Sequence, residues 1–373
     1  MSDCTKPAVR LREVLILAGG WLAGFALLAR LPGLSRLGAQ SAGLSVVIPA
    51  RNEERNLGRL LGTLARQQPA VAEVIVVDDR SADATAEVAR QAGVTVLAGT
   101  DPPPGWSGKC WACHEGAMAA GGNRLVFLDA DVSLSTDATA RLAAEHDRRG
   151  GLVSVAPFHR TERGYERLSA VANLVAMMGT GAFGVLPGSP TMAFGPCMIT
   201  TAADYRRVGG HAHREVRGAV AEDVALARRY RALGLPVAVL AGRDAVSFRM
   251  YPDGPRHLVD GWTRTLAAGA ERTPLALRAA IGLWITAALM AASGPLRTRR
   301  RRAALAWYGA FSLQMWWMLR RTGRFGAVAW LAYPIPLSTF VALFARSVWH
   351  RLTGRPPTWR GRSLPASVNR PRS

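Results

Sequence analysis

Leu44-Ser45-Val46-Val47-Ile48 runs into Pro49-Ala50-Arg51-Asn52-Glu53-Glu54, an apolar stretch closed by a turn that carries charge. The same pattern returns twice. Val74-Ile75-Val76-Val77 ends in Asp78-Asp79, and Leu125-Val126-Phe127-Leu128 ends in Asp129-Ala130-Asp131. Much later Glu222-Asp223 opens a helix-like stretch. Short, wholly apolar strands imply a sheet covered on both faces, which predicts a parallel α/β architecture. Ligands of such sheets bind beyond the carboxyl ends of the strands, where these acids fall. A cluster of acids calls for a cation, and Asp-x-Asp offers hard oxygen ligands to Mg2+ or Mn2+.

Between the strands, residues 57–67, 82–91, 111–120 and 136–146 carry helical periodicity, with Asp83 and Thr136 as candidate helix starters. An apolar run over 14–29 closes at Arg30 and Pro32 and predicts an N-terminal membrane anchor. Residues 165–186 read as one apolar helix near the membrane surface. Three further apolar runs cover 279–296, 303–319 and 327–345, with Trp307, Tyr308, Trp316, Trp317, Trp330 and Tyr333 placed for an aromatic belt. The expected domains are an anchor and linker over 1–43, an α/β domain over 44–275, membrane segments over 276–345 and a basic, disordered tail over 346–373. Three full spans after 278 would put the arginines of 297–302 and the tail outside, against the positive-inside rule. If 279–296 instead dips in and returns, which Gly294-Pro295 would allow, or lies in the interface, both stay inside and only Arg320, Arg321 and Arg324 face out; whether 279–296 spans or is re-entrant is left open.

The chain has 373 residues and a net charge of +21. Such charge points to nucleic acid or to anionic lipid. No ladder of basic and aromatic residues runs through the globular part, which argues against nucleic acid. Lysine occurs only at positions 6 and 109. In a chain that otherwise uses arginine, a compact ammonium after Gly108 at a helix start marks a candidate phosphate contact. The four cysteines form no disulfide framework. Cys110-Trp111-Ala112-Cys113-His114 matches the haem-attachment pattern, but its place in a helix start of the α/β domain predicts thiols packed on a helix instead.

Val47-Ile48-Pro49-Ala50-Arg51-Asn52-Glu53, Val77-Asp78-Asp79-Arg80-Ser81-Ala82-Asp83 and Asp129-Ala130-Asp131 resemble a family 2 glycosyltransferase with a GT-A fold. Pro104-Gly105-Trp106-Ser107-Gly108-Lys109-Cys110-Trp111-Ala112 is similar to the carotenoid-acid and hopanoid-associated branch. Ser247-Phe248-Arg249-Met250-Tyr251-Pro252, followed by Gly261-Trp262-Thr263-Arg264, is similar to the diaponeurosporenoate branch. The resemblance spans about residues 44–275. It implies a nucleotide-diphospho-sugar transferase domain with N- and C-terminal transmembrane helices. Pro49, Ala50, Arg51, Glu53 and Asp79 would hold base and ribose, and a carboxylate such as Asp79 accepts well from the uracil imide N–H. Asp129 would reach the ribose or a metal-bound water, and Asp131 would ligate Mg2+ or Mn2+ across the diphosphate. Glu222 and Asp223 would be the catalytic acid pair, with Asp223 as base. Trp262 and Arg264 would lie near diphosphate and acceptor. Their Gly-Trp-Thr-Arg context departs from the Gln-x-x-Arg-Trp of processive synthases and argues against polymer formation.

The resulting expectation is a membrane-bound, multi-pass, inverting enzyme with a cytoplasmic catalytic domain. It moves one sugar, glucose in first place, from a UDP-sugar to a lipophilic acceptor such as a carotenoid acid. A hopanoid or polyprenyl-phosphate acceptor is the alternative within enzymes. A catalytically dead membrane-bound binding protein is the alternative outside them, and it has no use for Asp79, Asp129, Asp131 and Asp223 together. Acceptor, sugar and oligomeric state are left open.

Overall fold

The computed structural model describes residues 6–36, 43–185, 192–219, 221–297, 300–353, 358–359 and 362–363. Its helices are α1 (Lys6–Leu27), α2 (Glu54–Leu64), α3 (Thr85–Gln91), α4 (Gly108–Ala119), α5 (Ala138–Arg149), α6 (Ala170–Gly179), α7 (Ala202–Arg207), α8 (Glu222–Ala232), α9 (Pro255–Arg272), α10 (Leu275–Arg297), α11 (Arg301–Thr322), α12 (Ala327–Leu331) and α13 (Pro334–Leu352). The strands used below are β1 (Leu44–Ala50), β2 (Glu73–Asp78), β3 (Thr95–Ala98), β4 (Arg124–Leu128), β5 (Val132–Leu134), β6 (Leu152–Ala156), β7 (Phe158–Arg160), β8 (Cys197–Thr201), β9 (Val237–Ala241) and β10 (Val246–Phe248). The chain divides into two compact units. One holds residues 32–160, 189–250 and 350–373, and the other holds 1–31, 161–188 and 251–349.

The first unit is built on a sheet of order β3-β2-β1-β4-β8-β6-β9. β1, β2, β3 and β4 pair in parallel, as their apolar runs predict. β8 corrects the all-parallel expectation, because it runs antiparallel to both β4 and β6. The reason is physical: an apolar run reports that both faces are covered and says nothing about direction. Leu44, Val46, Ile48, Val76, Val126 and Leu128 are buried on one side with Leu57, Leu60 and Leu61 of α2. Val47, Leu125 and Phe127 face the other side with Tyr205, Leu226 and Tyr230. Cys110 and Cys113 are buried thiols of α4, and Cys197 is a buried thiol of β8. Asp83 accepts from the Thr85 backbone N–H at 3.1 Å at the head of α3. Thr136 does not start α5, whose N-cap is Asp137.

The second unit is helical. α1 packs against α10 in antiparallel sense: a Cβ on Gly20 would meet Ala287, and one on Gly24 would meet Trp284. α11 returns alongside α10. Gln314 of α11 accepts from Trp284 Nε1 at 2.9 Å and donates to the Trp21 carbonyl at 2.6 Å, which satisfies a buried amide within an apolar bundle. α10 is the one described helix long and apolar enough to cross a membrane. α11 opens with Arg301 and Arg302 and closes with Arg320 and Arg321, and α1 carries Arg12 and Glu13. The run 279–296 lies within one unbroken helix, so no dip and return occurs there. Gly294 and Pro295 fall in its last turn, where a proline disturbs few backbone bonds. Arg321 donates to the Leu28 and Ala29 carbonyls at 3.0 and 3.3 Å. The end of α11 that bears Arg320, Arg321 and Arg324 therefore lies where α1 stops, not at the opposite end of the bundle. The single helix expected over 165–186 is shorter. A 3-10 turn over Gly164–Ser169 leads into α6, which ends at Gly179, and Gly181 adopts a left-handed φ of 70°. Leu186, Thr298, Arg299 and most of the basic tail lie outside the described residues.

Candidate active site

β1 and β2 end side by side, with Pro49 opposite Val77 and Ala50 opposite Asp78. The loops that follow are stitched together. Asn52 takes a left-handed φ of 52°, which asparagine tolerates better than most residues. Its N–H donates to Ser81 Oγ at 2.9 Å, and its Oδ1 accepts from the Ala82 N–H at 2.8 Å. The Glu53 N–H donates to Thr85 Oγ1 at 2.8 Å. Asp79 is 6 % exposed. Arg51 Nη1 donates to the Asp79 carbonyl at 2.7 Å and stands 3.6 Å from its carboxylate. A Cβ on Gly108 would lie 2.4 Å from Asp79 Oδ2. Glycine at the head of α4 thus lets the Asp79 carboxylate approach a helix N-terminus, where the dipole favours negative charge.

Lys109, the next residue of α4, ion-pairs with Asp129 Oδ1 at 2.7 Å and with Glu222 Oε1 at 2.8 Å. One ammonium therefore ties the end of β4 to the start of α8. Burial alone would lower the Lys109 pKa, but the two carboxylates outweigh it and hold the amine charged well above its ordinary range. Burial likewise pushes the Glu222 carboxyl up, and Lys109 reverses the direction. Asp223 forms no ion pair among the described residues, and the Lys109 charge only partly offsets what raises it. Burial, then the neighbouring Glu222 charge, pushes it up to about 7. Its two oxygens accept from backbone N–H groups, Oδ2 from Gly195 and Oδ1 from Val224, both at 2.8 Å.

Asp131 lies two residues beyond Asp129, in the turn between β4 and β5. Burial, then Asp129 and Glu53, pushes its carboxyl up to about 8. Its Oδ1 is buried and has no hydrogen-bond partner among the described residues. An orphaned carboxylate oxygen beside two like charges fits a missing cation. Among the described residues no group of three or more His, Cys, Asp or Glu is arranged as a ready metal cage. The donor set instead suits a hard divalent ion held by one or two carboxylates and completed by substrate phosphates.

The structure thus assembles residues 49–53, Asp79, Lys109, Asp129, Asp131, Glu222 and Asp223 within one unit. Trp262 and Arg264 belong to the other unit, on α9. Trp262 is 5 % exposed and its Nε1 donates to Ser169 Oγ at 3.0 Å. Two contributors escape a reading by residue type. Gly195 fixes Asp223 through its backbone N–H, and Pro196 fixes Asp129 by accepting from the Asp129 N–H at 3.0 Å. Their only sequence signal is the Gly-Pro turn before β8.

A model of the glycosyl transferase family 2 domain matches residues 45–201. The 4,4'-diaponeurosporenoate glycosyltransferase of Staphylococcus aureus strain USA300 is 37% identical over 335 residues, covering 87% of this chain and 88% of its own. That of strain MRSA252 is also 37% identical over 335 residues, with the same coverage. Among solved structures, the mannosyltransferase PcManGT of Pyrobaculum calidifontis, in complex with GDP-Man and Mn2+, has a TM-score of 0.54 at 18% identity. The match covers 93% of this chain and 99% of that one, and it is a likeness of fold. The mixed α/β sheet, the acids at its strand ends and these matches identify a GT-A-like fold.

Proposed function

This chain belongs to glycosyl transferase family 2, and we propose that it transfers one glucose from UDP-glucose to the carboxylate of a carotenoid acid, with inversion and with Mg2+ or Mn2+. The observation that carries the acceptor is the identity, along nearly the whole chain, to enzymes named for 4,4'-diaponeurosporenoate. The presence of Mn2+ and a sugar nucleotide on PcManGT accords with the donor and the metal.

In this reading the stitched loops after β1 and β2 receive the nucleoside, with Asp79 accepting from the uracil imide and Arg51 holding Asp79 in place. Asp131, with Asp129, would hold the divalent ion, which supplies charge stabilisation to the departing diphosphate. Lys109 turns its ammonium from the Asp129–Glu222 pair toward the diphosphate as the nucleotide enters. The acceptor oxygen attacks the anomeric carbon from the face opposite the leaving UDP. A carboxylic acid is already ionised at pH 7, so no proton has to be removed. Asp223, pushed up to about 7, is protonated about half the time at that pH. Its protonated form can donate a hydrogen bond to the incoming carboxylate, where an ionised form would repel it. Asp223 is thus an orienting group for this acceptor and a general base only for a hydroxyl acceptor.

In this reading the enzyme is membrane-associated, which the length and apolarity of α10 support, and its catalytic unit works on the cytoplasmic side, where sugar nucleotides are found. The test is expression in carotenoid-acid-producing cells with mass spectrometry of the lipid extract. A hexose ester of the acid supports the proposal. An unchanged carotenoid pool with a hexose on another lipid refutes the acceptor.

A further inference from the structure

One end of the helical unit gathers arginines, of which Arg167, Arg320 and Arg324 make no ion pair among the described residues. α11 closes with Arg320 and Arg321, and Arg324 follows two residues after its last helical position. Arg321 is committed to the bundle: it caps the carbonyls of Leu28 and Ala29 and lies 4.2 Å over Trp317. Arg320 lies 4.6 Å over the exposed ring of Trp316 and makes no ion pair among the described residues. Arg324 is exposed, its side chain makes no ion pair among the described residues, and its backbone carbonyl accepts from Thr161 Oγ1 at 2.5 Å. That bond draws the segment 161–167 to the same place. Arg167 then packs its guanidinium against Gly326, where a Cβ would lie 3.2 Å from Cζ. Arg167 Nε is buried with no partner among the described residues. The nearest acid in sequence, Glu166, is occupied: its Oε2 accepts from the Glu162 and Arg163 backbone N–H groups.

A buried guanidinium N–H without a partner is costly, since that donor has lost water and gained nothing. Its planar fork matches an oxyanion. The surroundings say which kind. The site lies at the end of an apolar bundle, beside Trp316 and Trp317, and such rings with snorkelling arginines mark the level of lipid headgroups. We propose that Arg167 and Arg324, flanked by Arg320, form a binding site for the phosphate of an anionic glycerolipid in the cytoplasmic leaflet. The site rests on the reading of the helical unit as membrane-embedded. It lies in the unit that holds none of the catalytic carboxylates, and it fixes how deeply that bundle sits. Gly326, at a φ of 77°, serves it by leaving room for the guanidinium.

The test uses the full chain, purified in mild detergent and moved into nanodiscs of phosphatidylcholine alone or with phosphatidylglycerol. Native mass spectrometry counts retained phosphatidylglycerol, and thermal unfolding is followed in both lipids. The parent should retain phosphatidylglycerol and unfold later in its presence. Arg167→Gln and Arg324→Gln should each weaken retention about fivefold, and the double variant about thirtyfold, the effect of one surface cation per arginine. UDP affinity should not change in either variant. Equal retention by parent and double variant would overturn the site. Equal protection of the parent by millimolar inorganic phosphate in phosphatidylcholine discs would also overturn it, by showing a free-anion pocket. A chain that stays soluble and monodisperse without detergent would instead refute the membrane reading, whatever the arginines do. Should the double variant fold poorly, Arg324→Lys keeps the charge and should retain the lipid.

Discussion

Asp223 offers a direct experiment, because its two chemical roles respond to pH with opposite sign. Its carboxyl is pushed up to about 7 by burial and by Glu222. It is therefore roughly a tenth ionised at pH 6 and nine-tenths at pH 8. A hydroxyl acceptor needs the ionised form as base, so its kcat/KM should rise about ninefold between those values. A carboxylate acceptor, itself ionised throughout, benefits from the protonated form, so its kcat/KM should fall by a similar factor. Asp223→Asn locks in the neutral state. With the hydroxyl acceptor it should lose about 10²–10⁴-fold in rate. With the carboxylate acceptor it should keep most of its activity and lose the alkaline decline. The substitution is not silent structurally. Both Asp223 oxygens accept backbone N–H groups, and an amide can serve only one. The other N–H then faces an NH2 group, at about 1–3 kcal/mol in stability. The assay is product chromatography from a carotenoid acid and its alcohol analogue in mixed micelles, across pH 6 to 8, with UDP affinity by calorimetry and unfolding temperature as controls. Parallel pH profiles for the two acceptors would refute the reasoning. Loss of UDP binding in Asp223→Asn would show that the residue faces the nucleotide.

Asp131→Ala should abolish transfer and the Mn2+-dependent part of UDP binding, and excess chelator should reproduce this in the parent; full activity in chelator would remove the metal from the mechanism. Gly108→Ala puts a Cβ 2.4 Å from Asp79 Oδ2 and should weaken UDP binding about 10–100-fold, the worth of one hydrogen bond to a charged group, with little change in unfolding temperature; unchanged affinity by calorimetry would mean Asp79 does not hold the base. Lys109→Met leaves Asp129 and Glu222 without their shared cation; UDP affinity should fall, and stability should fall more above pH 5 than below it, because Lys109 holds the Glu222 carboxyl below its ordinary range and that contribution is present only when Glu222 is ionised. The chain should stay with membranes in about 1 M salt, where the Debye length is only about 3 Å, and release in that wash would indicate attachment by arginine charge alone.

The strand-end part of the candidate site was legible because a strand end, a turn and an acid are adjacent in sequence. Residues 44–54, 74–79 and 125–131 each contain a strand and the group it delivers, so local pattern sufficed. The reversed direction of β8 was not legible, since coverage of both faces looks the same for either direction. Which ends of the helical unit meet was not legible for a related reason. Counting arginines at 297–302 and 320–324 weighs the loops but cannot tell which helix ends meet. That is decided by Arg321 reaching across nearly 300 positions to the end of α1, with separations of 293 and 292 residues. The backbone contributions of Gly195 and Pro196 were invisible because any residue has an N–H or a carbonyl. Only the fold assigns these two to Asp223 and Asp129.

Lys109 shows how residue type and geometry constrain each other. An arginine there would spread its charge over a rigid fork and favour bidentate pairing with one carboxylate. A lysine presents a compact charge that can sit between two. The observed distances of 2.7 and 2.8 Å to acids from β4 and α8 use that property. The same compactness lets the ammonium leave both when a diphosphate arrives, without unstacking a planar group. In the proposed reaction Asp129 and Asp131 would hold the divalent ion, and departure of Lys109 would leave Glu222 without its cation. The freed Glu222 charge, next in chain to Asp223, would then raise the Asp223 pKa further. Donor binding would thereby favour the protonated Asp223 that a carboxylate acceptor requires. This coupling predicts that the sugar nucleotide binds first and the acid acceptor second.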